Sequence, residues 1–310
     1  MIHTPMDVLT NFPVRKSRKQ KKAFRDAVET YVHDLGYETS VEKGSFGAKN
    51  LIIGNPEKAK YLVTAHYDTC ARMIVPNLIT PCSLMFFVLY QLFVTALIFV
   101  AAIGIGVIAG VLINNTGVAA IVGYSALWIL LGLMMFGPAN RNNANDNTSG
   151  VVTLLEIART LPENQHDKVC FVLFDLEEAG MIGSSSYRKK HKEETDSQIV
   201  LNLDCVGDGN EILFFPTKKL CKDHAKLTHL CTCVGRFGEK TIAVRNKGFR
   251  IYPSDQVQFP YGVGIAAFRR KKWVGLYCSR IHTNKDTVLE QTNVNILRAA
   301  ITTLISGDAA

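Results

Sequence analysis

Charge is the first thing that this sequence lacks. No Lys, Arg, Asp, Glu or His occurs between Arg72 and Arg141, a run of 68 residues in a chain of 310. Charged residues make up 20% of the chain, below the share of about 25% that is usual in soluble domains. A helical hairpin buried in a large soluble core is one explanation, but a membrane-embedded block accounts better for so long a run.

Two further absences concern the compartment. The eight cysteines form no CxxC pair and have no regular spacing, which argues against a disulfide framework. Residues 1–13 lack the charged-then-apolar layout of a secretory signal. We therefore expect buried, reduced thiols and a cytosolic location for the charged parts of the chain.

A recognition pattern for nucleic acid is also missing. The formal net charge of +8, from 35 Lys and Arg against 27 Asp and Glu, would by itself suggest a polyanionic partner. A basic protein that faces anionic lipid has the same charge balance. The basic run at residues 15–22 fits either a solvated helix face or attraction to headgroups. Because no aromatic-basic recognition pattern accompanies the charge, we expect no nucleic-acid partner.

The charge-free block contains two apolar stretches, residues 84–113 and 118–136, separated by a polar turn. Since a bilayer core of about 30 Å needs roughly 20 helical residues, each stretch can cross once. The sequence thus predicts a transmembrane hairpin at 82–137. Gly106 and Gly110 form a GxxxG pattern that favours close helix packing. The small residues that the second helix offers are Ala119, Ala120, Gly123 and Ala126.

All 35 Lys and Arg residues lie outside the turn of this hairpin. A hairpin returns the chain to the side that it left, so the parts before and after it share one compartment. The positive-inside rule places both parts, and both termini, in the cytoplasm of a two-span membrane protein.

Short elements alternate in the flanking parts. Apolar runs predict strands at 51–54, 61–65, 169–174 and 199–203. Helical spacing predicts helices near 23–36, 150–161, 179–190 and 219–234. This alternation indicates an α/β fold with a mostly parallel central sheet covered by helices on both faces. Residues 1–72 and 139–310 are therefore expected to form one domain, which the hairpin interrupts.

Acidic and histidine side chains occur where these strands end, and open α/β sheets bind ligands there. Each alone has a structural explanation, such as a helix cap or a solvated first turn. Together they supply the ligand types of hydrolytic zinc sites. The residues are His66, Asp68, Asp146, Glu177, Glu178, Asp204 and His282.

Five motifs in a fixed order carry a specific resemblance. They are HYD at 66–68, ND at 145–146 followed by NTSG, DLEEAG at 175–180, LNLD at 201–204 and HTNKDT at 282–287. This series resembles the co-catalytic di-zinc aminopeptidases of metallopeptidase family M28, which include bacterial leucyl aminopeptidases. The likeness covers roughly residues 20–72 and 140–305, and it implies the three-layer fold of zinc exopeptidases.

The resemblance implies a site for two Zn²⁺, with Co²⁺ or Mn²⁺ as possible substitutes. Asp146 matches the carboxylate that bridges the two ions. His66 and Asp204 would complete the ligand set of one ion. Glu178 and His282 would complete the ligand set of the other.

The resemblance also assigns roles around the metals. Glu177 occupies the position of the general base, and Asp68 that of the partner of His66. Many relatives have Ser-Asp-His before the last strand, whereas this chain has Ser254, Asp255 and Gln256. These three are the expected substrate-binding residues. Gln256 can donate a hydrogen bond but cannot become cationic.

We therefore expect a membrane-anchored zinc exopeptidase, an aminopeptidase that acts on peptides. Alternatives are an inactive membrane scaffold on the same fold and an acyl-transfer enzyme that resembles glutaminyl cyclases. Only about 15 residues separate Asp68 from the first apolar stretch, and about ten separate the second from Asp146. This spacing predicts an active site close to the cytoplasmic membrane surface and substrates that are membrane-associated or apolar.

Overall fold

Ten strands form one mixed sheet in the computed structural model, which describes residues 1–307. The strands are β1 Thr39–Lys43, β2 Lys49–Ile53, β3 Tyr61–His66, β4 Val169–Phe174, β5 Ile199–Leu203, β6 Glu211–Pro216, β7 Gly235–Phe237, β8 Lys240–Val244, β9 Gly262–Lys271 and β10 Gly275–Tyr277. The helices are α1 Asp7–Asn11, α2 Arg18–His33, α3 Leu84–Ile113, α4 Thr116–Phe136, α5 Gly150–Thr160, α6 Ile182–Lys190, α7 Lys192–Thr195, α8 Lys218–Lys222, α9 His224–Leu230 and α10 Gln291–Ser306.

The strand order is β1-β2-β4-β3-β5-β9-β6-β8-β7, and β10 pairs with β9. Parallel pairing joins β4, β3, β5 and β9 at the centre. The pairs β1–β2, β2–β4 and β6–β9 are antiparallel. The predicted α/β class is confirmed, but the sheet is mixed rather than mostly parallel. A short link such as residues 44–48 between β1 and β2 cannot make the crossover that parallel pairing needs.

Helices cover both faces of the sheet. One apolar cluster joins Phe24 of α2, Leu155 of α5 and Leu297 of α10 to Val63 of β3. A second cluster, on the opposite face, joins Tyr187 of α6 to Leu62, Val172 and Phe259 among others. Neighbouring residues of β3 thus point into different layers, as the period of two in a strand requires.

Several predicted boundaries shift for local reasons. The first apolar helix spans the predicted residues 84–113, but α4 begins at Thr116 because the Asn115 side chain caps it and accepts from the Val118 amide at 3.2 Å. The helix predicted at 219–234 is instead the two short helices α8 and α9. Asp223 separates them, and its side chain caps α9 by accepting from the Lys226 amide at 3.1 Å. Predicted helix 179–190 begins only at Ile182.

The GxxxG pattern packs α3 against α4 as predicted. Gly106 and Gly110 are buried, and a methyl group on Gly106 would lie 2.5 Å from the carbonyl oxygen of Ala119. Most of the remaining surface of both helices is apolar and exposed. Both are long and apolar enough to cross a membrane.

Replacing Gly106 by alanine should loosen this helix pair. The added methyl group meets backbone atoms that cannot move aside, so we expect the full chain in detergent to lose about 1–3 kcal/mol of unfolding free energy. Gly104 is the matched control, because a methyl group there has no atom within 4 Å apart from its chain neighbours and its own helix backbone. Equal denaturation midpoints for the two variants would contradict this packing.

The cysteines are free thiols. All eight fall within residues 1–307, and none forms a disulfide there. Cys70, Cys170, Cys205, Cys233 and Cys278 are buried, as expected for reduced thiols in apolar elements, whereas Cys82 and Cys231 are exposed.

Candidate metal centre

Three adjacent parallel strands bring the predicted metal ligands together. Because β4, β3 and β5 are neighbours in the sheet, their carboxyl ends meet at one edge. His66 is the last residue of β3, and Asp204 directly follows β5. Glu177 and Glu178 lie in the turn after β4. The polar residues that end these apolar strands thus converge on one place.

Asp146 reaches the same place from the segment Ala144–Ser149, which precedes α5. The Asp286 carboxylate accepts hydrogen bonds from the backbone amides of Asn145 at 2.7 Å and of Asp146 at 3.0 Å. Asp286 therefore positions the Asp146 backbone. Asp286 lies four residues after His282 in the last motif, but the motif alone does not indicate this role.

The two oxygens of Asp146 face different histidines. Its Oδ1 is 3.3 Å from His66 Nε2, and its Oδ2 is 3.1 Å from His282 Nε2. Asp204 Oδ1 lies 3.8 Å from His66 Nε2. Glu178 Oε2 lies 3.4 Å from His282 Nε2. Asp146 is thus shared between two groups of donor atoms.

Asp68 connects the imidazole of His66 to the turn after β4. Its Oδ1 accepts from the Glu177 amide at 3.0 Å and lies 3.5 Å from His66 Nδ1. Its Oδ2 accepts from the Glu178 amide at 3.3 Å. Asp68 therefore lies behind the imidazole, beside Nδ1, while Nε2 faces the other candidate ligands. Carboxylates occupy this position behind metal-bound histidines.

The donor set fits a divalent metal ion. The ligand atoms of His66, Asp146 and Asp204 lie within 4.8 Å of one another. Asp204 Oδ1 and Glu178 Oε1 are buried and accept no hydrogen bond from residues 1–307. Buried acceptors without partners are costly, and a cation would satisfy them. Nitrogen and carboxylate donors of this kind suit zinc.

A second group of donors contains Cys70, together with Glu178 and His282, also within 4.8 Å of one another. No motif in the sequence connects Cys70 with the site. Burial raises the pKa of its thiol, and the nearby Glu178 and Asp146 raise it further. Cys70 is therefore a neutral neighbour of the carboxylates in the metal-free protein.

Burial and mutual charge set the protonation of the site. Burial raises the pKa of Glu178 to about 8. Burial opposes the charged form of His282, but Glu178 and Asp146 outweigh it and raise its pKa to about 9. Burial also raises the pKa of Glu177, and its carboxylate neighbours Asp255 and Glu178 add to this. The metal-free site therefore holds protons at neutral pH.

Two residues of the basic run at 15–22 correct the expectation of a surface run. The Arg15 guanidinium is buried and donates to the Tyr67 carbonyl at 2.6 Å and to Thr148 Oγ1 at 3.1 Å. Lys21 is buried too, and its Nζ lies 2.6 Å from Asp175 Oδ1. Both cations support loops that carry candidate ligands. Their partners are distant in sequence, so a local window contains no signal for them.

The predicted substrate-binding residues lie beside β5. Ser254, Asp255 and Gln256 are all buried. Asn202 Nδ2 donates to Ser254 Oγ at 2.9 Å and to Gln256 Oε1 at 3.3 Å. Gln256 also lines a cavity of about 530 Å³ with Tyr252. Their substrate role stays a prediction.

Both ends of the α3–α4 pair are bonded to the His282 loop. The Met73 amide, before α3, donates to the His282 carbonyl at 2.7 Å. Asn140, after α4, donates from Nδ2 to the Thr283 carbonyl at 2.9 Å. Lys16 Nζ donates to the Met135 carbonyl at 3.3 Å. The candidate ligands thus lie close to the base of the two apolar helices.

Comparison with known proteins gives a family and a fold. The model of the family described as "Peptidase family M28" matches residues 132–305. Aminopeptidase YwaD of Bacillus subtilis (strain 168) is 45% identical over 67 residues, which are 21% of this chain and 15% of that protein. The matched segment is therefore a small part of that relative.

Two solved structures cover almost the whole chain. A Zn-dependent exopeptidase from Parabacteroides distasonis has a TM-score of 0.60 at 15% identity, covering 97% of this chain and 96% of its own. Porphyromonas gingivalis glutaminyl cyclase has a TM-score of 0.59 at 16% identity, covering 96% and 94%. At such identities the likeness establishes the fold alone.

Proposed function

The chain belongs to peptidase family M28, and on that basis we propose that it is a zinc-dependent aminopeptidase anchored in a membrane. One observation carries the proposal. The carboxylate of Asp146 lies between His66 and His282, with one oxygen toward each. This is the arrangement that a shared ligand of two metal ions requires.

Five residues would hold two zinc ions. Asp146 would bind both, His66 and Asp204 one, and Glu178 and His282 the other. Co²⁺ and Mn²⁺ accept similar donors. When bound, a pair of zinc ions supplies Lewis acidity that polarises a scissile carbonyl and acidifies water.

Glu177 is the proposed general base. Its carboxylate oxygen lies 4.0 Å from His66 Nε2, and its donor atoms lie within 4.8 Å of those of His66 and Glu178. We assign it to a water molecule beside the metal ions rather than to the set of ligands. It would take a proton from the attacking water and pass it to the leaving amine. The hydrogen bonds from its own amide and that of Glu178 to Asp68 hold the turn in place.

Zinc affinity should rise steeply with pH between about 6 and 9. His282 and Glu178, with pKa values of about 9 and about 8 in the metal-free protein, hold protons at pH 7 and must lose them to act as ligands. Raising the pH removes these protons and so favours binding. Calorimetric titration with zinc in buffers of different ionisation enthalpy should therefore detect proton release at pH 7. Binding without proton release would contradict these protonation states.

We further propose that α3 and α4 each cross the bilayer once and that residues 1–72 and 139–310 form one cytoplasmic domain. The charge-free sequence of both helices and the position of all Lys and Arg outside their turn support this. Because Met73 and Asn140 bond to the His282 loop, the active site would open near the membrane. Membrane-associated or apolar peptides are then the substrates.

A glutaminyl cyclase-like activity is the second candidate, because cyclases have this fold. Such enzymes work with one metal ion, and Asp146 facing both His66 and His282 favours two. The third reading, an inactive scaffold, usually goes with lost ligands, whereas all five candidate ligands and Glu177 are present.

A peptide-library digest tests the proposal. The purified full chain is incubated with soluble peptides and with the same sequences tethered to lipid in nanodiscs, with and without a chelator, and products are read by mass spectrometry. We expect release of N-terminal residues, its loss with chelator, and preference for tethered or apolar peptides. Internal or C-terminal cleavage would contradict the aminopeptidase assignment, and equal rates on both peptide sets would contradict the substrate class.

A further inference from the structure

The turn between β9 and β10 exposes a large aromatic ring among cations. Trp273 is 80% exposed. Four consecutive basic residues precede it, at 269–272, and Lys272 Nζ lies 5.7 Å from the centre of its ring. An exposed tryptophan beside cations combines the two residue types that favour the surface of an anionic membrane.

The strand pair that carries this turn is joined to the chain that leads to α3. Ile79 and Cys278 form an antiparallel bridge, with N–H···O distances of 2.9 Å in both directions. A turn follows before α3 begins, in which the Ser83 amide donates to the Thr80 carbonyl at 3.2 Å. Leu84, the first residue of α3, is five residues after Ile79, and Trp273 is five before Cys278.

Charge at the start of α3 gives independent support. Partial desolvation of the thiol raises the pKa of the exposed Cys82, and the charges of Arg245 and Arg270 oppose this, so both guanidinium groups lie near Cys82. Arg270 is also paired with Glu211 at 2.6 Å. The first turn of α3 is already apolar and exposed, with Leu84 at 54% and Met85 at 61%. Lipid that covers α3 also reaches the first turn of this helix. The guanidinium groups of Arg245 and Arg270 near Cys82 then lie at the level of the headgroups.

We propose that the β9–β10 turn is a third membrane contact, in which the Trp273 ring enters the interfacial layer and Lys271 and Lys272 bind anionic phospholipid headgroups. Tryptophan favours the membrane–water interface, and each basic residue near an anionic surface adds attraction. The contact orients the catalytic domain relative to the bilayer. It rests on the proposed insertion of α3 and α4.

The chain has two tryptophans, which allows each contact to be tested separately. The variant Trp128→Phe leaves Trp273 as the sole tryptophan, and Trp273→Phe leaves only Trp128 in α4. Each full-length variant is reconstituted in nanodiscs that contain lipid brominated near the headgroup or near the chain end. We expect Trp273 to emit at a shorter wavelength than tryptophan in water. We also expect the lipid brominated near the headgroup to quench it most.

The two variants separate the two claims. Trp273 emission that neither brominated lipid quenches would overturn the third contact, whatever Trp128 does. Trp128 emission that neither lipid quenches would overturn the spanning hairpin.

The charge component has a matched control. With Trp273 as the sole tryptophan, adding phosphatidylglycerol to phosphatidylcholine nanodiscs should increase quenching. The pair Lys271→Gln and Lys272→Gln should abolish this increase. The control pair Lys218→Gln and Lys222→Gln changes the same charge after β6, at the opposite end of β9, and should retain it. Equal loss in both pairs, or no effect of phosphatidylglycerol, would contradict binding of anionic headgroups by the turn.

Discussion

Glu177→Gln should lower the rate of peptide hydrolysis by roughly 10²–10⁴-fold, the usual contribution of a general base, while metal content stays unchanged. Glutamine has nearly the same shape as glutamate but cannot accept the proton of the attacking water. Of the three carboxylates near His66 Nε2, Glu177 is the most distant, at 4.0 Å against 3.8 Å for Asp204 and 3.3 Å for Asp146. Its loss should therefore affect proton transfer more than metal binding.

Peptidase rate and zinc per chain, measured on the same sample, test this prediction. Glu163→Gln, an exposed position in the turn before β4, is the control and should leave both values unchanged. A Glu177→Gln enzyme that retains its rate would refute the assigned mechanism. Loss of zinc together with activity would instead identify Glu177 as a ligand.

Asp146→Asn should remove both metal ions and reduce hydrolysis by about 10³-fold or more. Metal ions supply several kcal/mol of transition-state stabilisation, and about 1.4 kcal/mol corresponds to each tenfold change in rate. An asparagine side chain is neutral and has one amide oxygen in place of two carboxylate oxygens. It cannot present an anionic oxygen to the sites at His66 and at His282 together.

His282→Ala provides the graded comparison. It removes a donor from one ligand group only, so we expect this variant to keep one zinc ion and Asp146→Asn to keep less than one. Circular dichroism of the metal-free variants is the check that each one folds. Equal zinc content in the two variants would contradict the role of Asp146 as a shared ligand.

The centre of the sheet and its ligands could be predicted because their signals are local. The strand Val169–Phe174 is entirely buried and apolar, and three carboxylates follow it within four residues. Similar patterns end β3 and β5 at His66 and Asp204. The carboxyl ends of parallel strands lie at the same edge of a sheet, so residues that follow these strands in the sequence are expected to lie close together.

The supporting residues could not be predicted, because their partners are far away in the chain. Arg15 bonds to Thr148 and Lys21 to Asp175, across more than 130 residues. Asp286 reaches the Asp146 amide in the same way. The cis peptide bond between Asp146 and Asn147 has no sequence signature. Strands such as β7 and β10 were missed because they are short and half-exposed and lack a continuous apolar run. Strands β6 and β9 were missed as well, although both are mostly buried.

One measurement tests the central claim most directly. The purified, zinc-loaded chain is given a peptide that begins with glutamine, and the product mass is followed over time beside an N-acetylated copy of the same peptide. The account predicts that the glutamine residue is removed from the free peptide and that the acetylated copy is unchanged. Loss of ammonia without loss of a residue, or cleavage of the acetylated copy at an internal bond, would contradict the account.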